Sequence, residues 1–523
     1  MNKKDRVVYL LSRGRFGFLR VIFSRATIIV LLIILQLMML MASFRWLEQY
    51  HVQLDVLEIF LRIGTVLYLV NSRMNTTSKI TWLLLITVFP WLGCLFLIYT
   101  KVDFGFNGLK LGMRRIIRDT QYLLKQSPEV IEELKNNHTS TYNLVNYFSR
   151  NDGHYPVYKH SRVTYFPSGE AKFAEMKEQL LKAEKYIFLE YFIIGEGIMW
   201  GEILAILEQK VKEGVEVRVM YDGMNEFSTL SFDYDERLTK LGIQAKSFGR
   251  LSPFVSTYYN YRDHRKILVI DGKVAFTGGV NLADEYINHV ERFGHWKDTA
   301  IMVEGPAVDT FTVLFMQMWF HNEANPVLEG YLPETHEQFE STGYLVPYGD
   351  SPLDNDKMGE NVYIDILNHA RDYVYIMTPY LILDSELEHA IQFAAERGVD
   401  VRIIMPGIPD KTVPFALAKT YYPALLDAGV KIYEYTPGFI HAKVFLADDQ
   451  KGVVGTINLD YRSLYHHFEC GCYIYKSEVL DDIKQDFEET LAVSKEVTRD
   501  SLKSMSILTK MTGVLTKTIA PLM

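Results

Sequence analysis

The sequence predicts an α/β protein made of two similar halves that share one site, preceded by membrane-spanning helices. Two segments of the 523-residue chain, Glu213–Gly223 (EGVEVRVMYDG) and Arg397–Gly407 (RGVDVRIIMPG), align without a gap. A second pattern, His-x-Lys followed by an aspartate, also occurs twice. Each copy of the repeat combines apolar strands with a helical segment. Units of this kind form sheets with helices on both faces.

The N-terminal part of the chain is expected to be a membrane anchor. The first 25 residues contain seven Lys or Arg and one acid, and no clear cleavage site follows them. Charge-free runs of 19 and 20 residues cover 26–44 and 80–99. Each run has about the 20 residues that a helix needs to cross a bilayer. We therefore predict a basic cytoplasmic segment over 1–25 and an anchor of two to three helices over 26–100.

The segment between these runs leaves the number of membrane helices open. Val56–Val70 is shorter and carries Glu58 and Arg62, which are spaced to pair on one helix face. It fits either an interfacial helix or a third, tilted span. Five basic residues follow the second run within 101–118, and positive charge favours the cytoplasmic side of a membrane. Two spans place both basic ends in the cytoplasm, and we expect the rest of the chain there.

The remaining chain divides into four predicted segments. Residues 101–160 are polar with helical stretches and are expected to be a connector near the membrane surface. Residues 161–335 and 336–495 are the two halves, and each has the predicted order strand, helix, strand, strand. In the first half these elements cover 186–192, 200–212, 214–220 and 241–248. In the second half they cover 373–377, 386–397, 398–404 and 428–435. Residues 496–523 mix three lysines with apolar residues, which is typical of an amphipathic tail.

The two His-x-Lys motifs carry the residue types that phosphoryl chemistry needs. They comprise His264, Lys266, Asp271, Gly278 and Asn281 in the first copy, and His441, Lys443, Asp448, Gly455 and Asn458 in the second. A neutral imidazole can attack phosphorus, an imidazolium can protonate a leaving oxygen, and lysine neutralises phosphate charge. Each His and Lys are expected on one face of a short buried strand. Each aspartate is expected to hold a turn by accepting backbone N–H bonds.

Both stretches resemble the paired HKD motifs of the phospholipase D superfamily. The sequences GGVNLADEY and GTINLDYRS, together with HWKDTAIMVEGPAV and PGIPDK, are most similar to bacterial cardiolipin synthases. The likeness runs from about Leu54 to the C-terminus. It implies a duplicated phospholipase D-like domain, in which two α/β sandwich halves share one active site.

The resemblance also implies a role for each motif residue. His264 is expected to be the nucleophile and His441 the general acid and base. Both lysines and both asparagines would hold the phosphate oxygens. A carboxylate after each motif, Asp298 in the first half and Glu469 in the second, is expected to orient its histidine. The nearby His295, His466 and His467 are expected to be structural or surface residues.

The implied reaction is transfer of a phosphatidyl group from one phosphatidylglycerol to another, giving cardiolipin and glycerol. A lysine beside each histidine would repel a cation, so we expect no metal, and the exchange of similar phosphodiesters needs no other cofactor. Water as acceptor would make the protein a phospholipase D-type hydrolase, and another alcohol would make it a different phosphatidyltransferase. A non-enzymatic lipid-binding scaffold would not need two intact motifs.

Composition narrows the partners and the location. The formal net charge of −9 argues against a protein that binds nucleic acid. Three cysteines cannot form a disulfide framework. The resemblance to cardiolipin synthases implies membrane phosphatidylglycerol and cardiolipin as partners, with a homo-oligomer allowed. The expected location is the bacterial plasma membrane, crossed more than once, with the catalytic domain in the cytoplasm.

Overall fold

The computed structural model describes residues 51–101, 104–150, 153–250, 261–323, 326–341, 343–354 and 356–522. The predicted basic segment 1–25 and the first predicted span 26–44 lie outside these ranges. The described residues form two large sheets, one two-stranded sheet and the helices that cover them. Short 3₁₀ turns lie at Gln121–Leu123, Gly223–Phe227, Asp284–Ile287 and Ala520–Leu522.

Three helices form the described part of the predicted anchor, namely α1 (His51–Asn71), α2 (Thr76–Val88) and α3 (Pro90–Lys101). Glu58 and Arg62 pair on α1 at 3.7 Å, as expected. The run 80–99, predicted as one span, is divided between α2 and α3, because Pro90 has no N–H and starts a new helix. In the part of the chain that the structure describes, no helix is both long and apolar enough to cross a bilayer.

The segment 101–160 contributes to the core and is more than a polar connector. It forms α4 (Phe104–Thr120), α5 (Pro128–Asn137) and α6 (Thr139–Arg150). Leu109, Met113 and Ile116 recur at helical spacing on α4, and they are buried in one apolar core with Leu144 and Phe148 of α6. These helices therefore lie against the globular part of the protein.

The first half is built on a seven-stranded sheet with the spatial order β1-β9-β7-β6-β2-β3-β4. Its elements in chain order are β1 (Arg162–Phe166), α7 (Gly169–Lys182), β2 (Tyr186–Tyr191), α8 (Ile198–Lys212), β3 (Glu216–Asp222), α9 (Tyr234–Thr239), β4 (Gln244–Phe248), β5 (Arg262–Asp263), β6 (Lys266–Ile270), β7 (Val274–Gly278), β8 (His295–Lys297), β9 (Ala300–Glu304) and α10 (Val308–Phe320).

The second half repeats this plan in the order β10-β17-β16-β15-β11-β12-β13-β18. Its elements are β10 (Tyr344–Asp350), α11 (Met358–His369), β11 (Tyr373–Met377), α12 (Ser385–Glu396), β12 (Asp400–Pro406), α13 (Thr412–Ala418), α14 (Tyr422–Asp427), β13 (Lys431–Tyr435), β14 (Gly438–Ile440), β15 (Val444–Ala447), β16 (Lys451–Gly455), α15 (Tyr461–Tyr465), β17 (His467–Tyr475), α16 (Val479–Ala492) and β18 (Ser494–Glu496). The tail adds α17 (Arg499–Lys503) and α18 (Ile507–Lys517).

The two sheets correspond strand by strand, so the predicted duplication is confirmed. In each half the three strands predicted from the repeat are parallel neighbours, β2-β3-β4 and β11-β12-β13. The motif strands β6 and β15 pair antiparallel with β2 and β11. The predicted boundary at 335/336 falls between α10 and β10, where the described residues form neither helix nor strand.

The last long helix of each half contacts the first strand of the other half. Helix α10, which is buried along almost its whole length, contacts β2, β6 and β7 of its own sheet and also β10. Helix α16 contacts β13 and β15 and also β1. There Asp486 accepts hydrogen bonds from Tyr165 and Lys297 at 2.6 Å each. The halves therefore share one interface with apolar and charged contacts.

Two short parallel pairings join the halves beside the motifs. Strand β5 of the first half pairs with the start of β17, and β14 of the second half pairs with β8. In both cases the strand that precedes a motif histidine lies beside the segment that precedes the other half's carboxylate. These two pairings, in which each half contributes a strand to the other, determine the geometry of the site.

Candidate active site

Each motif histidine lies in a gap between two strands. Strand β5 ends at Asp263 and β6 begins at Lys266, so the single strand expected through His264 is interrupted. His441 occupies the same position between β14 and β15. The His264 N–H donates to the Phe468 carbonyl at 2.9 Å, and the His441 N–H donates to the Lys297 carbonyl at 2.7 Å. The backbone of the opposite half therefore holds each histidine.

The carboxylates are exchanged between the halves. His264 Nδ1 lies 2.8 and 2.9 Å from the two oxygens of Glu469, and His441 Nδ1 lies 2.7 Å from Asp298 Oδ2. The expectation that each acid orients the histidine of its own half is wrong. The cause is the exchanged strand pairing, because β17 carries Glu469 beside β5 and β8 leads to Asp298 beside β14. Each pair leaves Nε2 as the nitrogen not bonded to the carboxylate.

Burial keeps both imidazoles neutral. His264 and His441 are 5 % and 7 % exposed. Burial, with the nearby charges of Lys266 and Lys443, holds the pKa of His264 well below its usual value. Burial and Lys443 lower the pKa of His441 to about 4. Burial opposes the charge of Asp298, but His441, Lys443 and the Thr299 N–H together outweigh burial, and the pKa of this carboxyl lies below its usual value.

The motif lysines form a compact cationic centre. Each Nζ donates to the carbonyl of the histidine two residues before it, and the Lys266 Nζ–His264 O distance is 2.5 Å. Burial lowers the pKa of Lys266 to about 8 and that of Lys443 to about 7. Both lysines are therefore poised to gain charge when an anion enters.

A third buried lysine, which the sequence did not single out, belongs to the same region. Lys172 on α7 donates to the Tyr191 hydroxyl at 3.2 Å and to the Val280 carbonyl at 3.1 Å. Burial lowers the pKa of Lys172 to about 7, and Asp298 and Lys266 also act on it. The sequence feature that could have identified Lys172 is its position on the inner face of a helix, because lysine is rarely buried without a partner.

The motif aspartates hold turns and do not contact the histidines. Asp271 accepts from the N–H groups of Glu184, Lys185 and Tyr186 at 2.8 Å each. Asp448 accepts in the same way from 371, 372 and 373, at 2.8 to 2.9 Å. Both have positive φ, 55° and 54°. Both aspartates therefore make the backbone hydrogen bonds that are expected of an acid at a turn.

The two motif asparagines differ in their contacts. Asn281 accepts from the Ile193 N–H at 3.0 Å and donates to the Tyr286 hydroxyl at 2.8 Å. The Asn458 side chain is buried, and its Oδ1 has no hydrogen-bond partner among the described residues. Of the two, Asn458 retains the freer amide for a bound group.

His467 is buried beside the first motif, so of the two expected positions, structural or surface, the surface one does not apply. Its ring centroid lies 5.3 Å from that of His264. His264, His467 and Glu469 bring three potential ligand atoms within 4.8 Å of one another. Glu469 already accepts from His264 and Thr456, and Lys266 and Lys443 add positive charge. This donor set fits a resident cation poorly.

The fold and the paired motifs define a phospholipase D-like enzyme, and comparisons with known proteins identify its family. The family described as "Cardiolipin synthase, PLD-like domain" matches residues 176–319 and 363–491. The chain belongs to this family and is a phosphatidyltransferase.

Individual relatives agree with this assignment. A Streptococcus mutans protein described as uncharacterized is 66 % identical over 88 % of this chain and 100 % of its own length. A protein of Halalkalibacterium halodurans, described as a cardiolipin synthase, is 32 % identical over 83 % of this chain and 86 % of its own. The phosphatidylserine synthase structure of Haemophilus influenzae shares the fold, with a TM-score of 0.51, 15 % identity and coverage of 69 % and 95 %.

Proposed function

We propose that this phosphatidyltransferase is a cardiolipin synthase that converts two molecules of phosphatidylglycerol into cardiolipin and glycerol. The observation that carries the proposal is the pair of buried imidazoles, each oriented by a carboxylate and accompanied by a lysine. Relatives described as cardiolipin synthases support the choice of substrate.

In the first step, neutral His264 attacks the phosphorus of one phosphatidylglycerol. Glu469 holds the Nδ1 proton, which leaves Nε2 as the nucleophile and stabilises the imidazolium that forms. The P–O bond to glycerol breaks as the N–P bond forms. Lys266 and Lys443 offset the charge on the phosphate oxygens.

His441 supplies the proton that the departing glycerol oxygen needs. Burial and Lys443 hold the pKa of His441 at about 4. An anionic phosphodiester beside the ring favours the imidazolium, so substrate entry raises the pKa of His441. Asp298 stabilises the charged ring through Nδ1. In the second step neutral His441 takes a proton from the free hydroxyl of another phosphatidylglycerol, whose oxygen displaces His264 from phosphorus.

The domain and membrane assignments complete the proposal. The halves are 161–335 and 336–495, and the segments 1–25, 26–100, 101–160 and 496–523 are the basic terminus, anchor, connector and tail. The catalytic part faces the cytoplasm at the plasma membrane, where the anchor delivers both lipids. Basic residues within 101–118 support this side.

A cysteine introduced at Lys110 should resist an impermeant thiol reagent in intact cells, and ready labelling would contradict this orientation.

The decisive experiment supplies the full-length protein with phosphatidylglycerol alone. We expect cardiolipin and glycerol in equal amounts, without nucleotide or added metal. Phosphatidic acid as the main product would establish the hydrolase alternative instead.

His264→Ala should never accumulate lipid-linked protein, whereas His441→Ala should accumulate it with a substrate whose leaving group needs no proton. Lipid attached to His441 would reverse the two roles.

A further inference from the structure

The buried ring of His467 makes no hydrogen bond to any residue that the structure describes. It is 7 % exposed, and neither ring nitrogen has a hydrogen-bond partner among the described residues. Its Nδ1 lies 3.7 Å from Glu469 Oε1, beyond hydrogen-bond length. Buried polar groups in native proteins are almost always satisfied, so this ring requires an explanation.

The position of His467 connects it to the substrate. Its ring is 5.3 Å from the His264 ring, and Phe192 packs near both rings. A phosphodiester that reacts with His264 must come into contact with the His264 ring, whose centroid lies 5.3 Å from that of His467. A group attached to the reacting phosphorus therefore passes beside His467.

The chemistry of the ring limits what it can bind. Burial lowers the pKa of His467 to about 3, so the imidazole is neutral. A neutral imidazole offers one donor and one acceptor, and an alcohol hydroxyl offers the same pair. An anionic phosphate oxygen only accepts, and Lys266 and Lys443 already serve it. The ring is thus complementary to a hydroxyl group.

We propose that His467 binds the secondary hydroxyl of the glycerol headgroup, which lies one carbon away from the oxygen that leaves or attacks phosphorus. His467 is then a specificity-determining residue that selects a vicinal diol over a simple alcohol. The inference rests on the proposed function, because it assumes phosphatidyl transfer to and from glycerol.

The test compares two small alcohols as acceptors. The full chain is given a phosphatidyl ester of nitrophenol in detergent micelles, a donor whose leaving group carries no vicinal hydroxyl. The acceptor is either propylene glycol, which keeps the vicinal hydroxyl, or n-propanol, which lacks it. Wild type should prefer propylene glycol by about tenfold, because its second hydroxyl can form hydrogen bonds with the His467 ring that n-propanol cannot form. His467→Phe should remove this preference by lowering transfer to propylene glycol, while transfer to n-propanol stays within about twofold.

Two further variants make the result specific. His467→Asn restores a donor and an acceptor and should recover part of the preference, even if His467→Phe folds poorly. His466→Phe changes the neighbouring ring and should keep the wild-type ratio. An unchanged ratio in both His467 variants, an equal loss with both alcohols, or no preference in wild type would overturn the inference. Wild type that makes phosphatidic acid from phosphatidylglycerol alone would refute the synthase proposal, while the ratio of the two alcohols remains measurable.

Discussion

At the residue scale, the site combines neutral imidazoles with lysines that are only partly charged near neutral pH. Both states have one cause, which is burial of four ionisable side chains in one small region. The entering phosphodiester adds a negative charge beside these lysines. The charge state of the site therefore depends on whether substrate is bound.

The lysine pKa values predict the alkaline limb of the pH profile. Lys443 and Lys266 are charged below about 7 and 8 and neutral above these values, so kcat/KM for phosphatidylglycerol should fall as pH rises through this window. The limb of kcat should lie at higher pH, because bound phosphate favours the charged forms. Lys443→Arg should move the limb of kcat/KM upward, since arginine stays protonated. An alkaline limb unaffected by this variant would contradict the assignment.

The three backbone bonds of Asp271 predict a loss of stability and not of chemistry. Asp271→Ala leaves three N–H groups without their acceptor, and we expect the free energy of unfolding to fall by about 3 kcal/mol. Asp271→Asn keeps one acceptor oxygen and tolerates the positive φ, so it should lose less. Denaturant unfolding measures both, and activity per folded molecule should be retained. A large loss of activity without a loss of stability would indicate a direct role in the reaction.

At the element scale, α18 is the longer helix of the segment that was predicted to be an amphipathic tail. One face packs on α13, where Gly513 lies against the Ala416 carbonyl. The opposite face exposes a row of large apolar side chains, namely Ile507, Leu508, Met511, Val514 and Leu515. Such a face, flanked by lysines, is typical of a helix that lies in a membrane interface.

A cysteine-linked dye tests whether this face contacts lipid. The native cysteines in the chain, Cys94, Cys470 and Cys472, are buried, so a Leu508→Cys variant can be labelled selectively. An environment-sensitive dye there should shift to the blue when anionic vesicles are added, because the face enters the apolar boundary of the bilayer. Glu489→Cys on α16 is the exposed control and should not shift. Equal spectra at both positions would show that α18 faces water.

At the scale of the whole molecule, neither half contains a complete catalytic unit. His264 is oriented by an acid 205 residues later and His441 by an acid 143 residues earlier. The two sheets must therefore dock correctly before either histidine is positioned.

Because each acid orients the histidine of the other half, a variant of that acid should have the same kind of effect as a variant of that histidine. Glu469→Gln acts on the nucleophile, so a phosphatidyl ester of nitrophenol, whose leaving group needs no proton, should not restore its activity. Asp298→Asn acts on the general acid, so that ester should largely restore the first step, which is measured as the burst of released nitrophenol. With phosphatidylglycerol, each change should slow transfer by about a thousandfold, because a misoriented histidine loses most of its catalytic effect. Rescue of Glu469→Gln alone would mean that the acid serves His441.

The sequence was sufficient where the determinant is local. The repeated strand and helix segments, the spacing of the two motifs, and the turn role of Asp271 and Asp448 all follow from side-chain periodicity and turn chemistry within a few residues. The resemblance carried by the motifs likewise identified the family. These features could be predicted because they do not depend on how distant segments pack.

Only the tertiary structure decided the rest. Chain order favoured pairing each histidine with the acid of its own half, but the parallel contacts β5–β17 and β8–β14 exchange the acids. The same docking buries His467 beside His264. No local pattern encodes these contacts, because they arise from the complementarity of two sheets whose interacting residues lie more than a hundred positions apart.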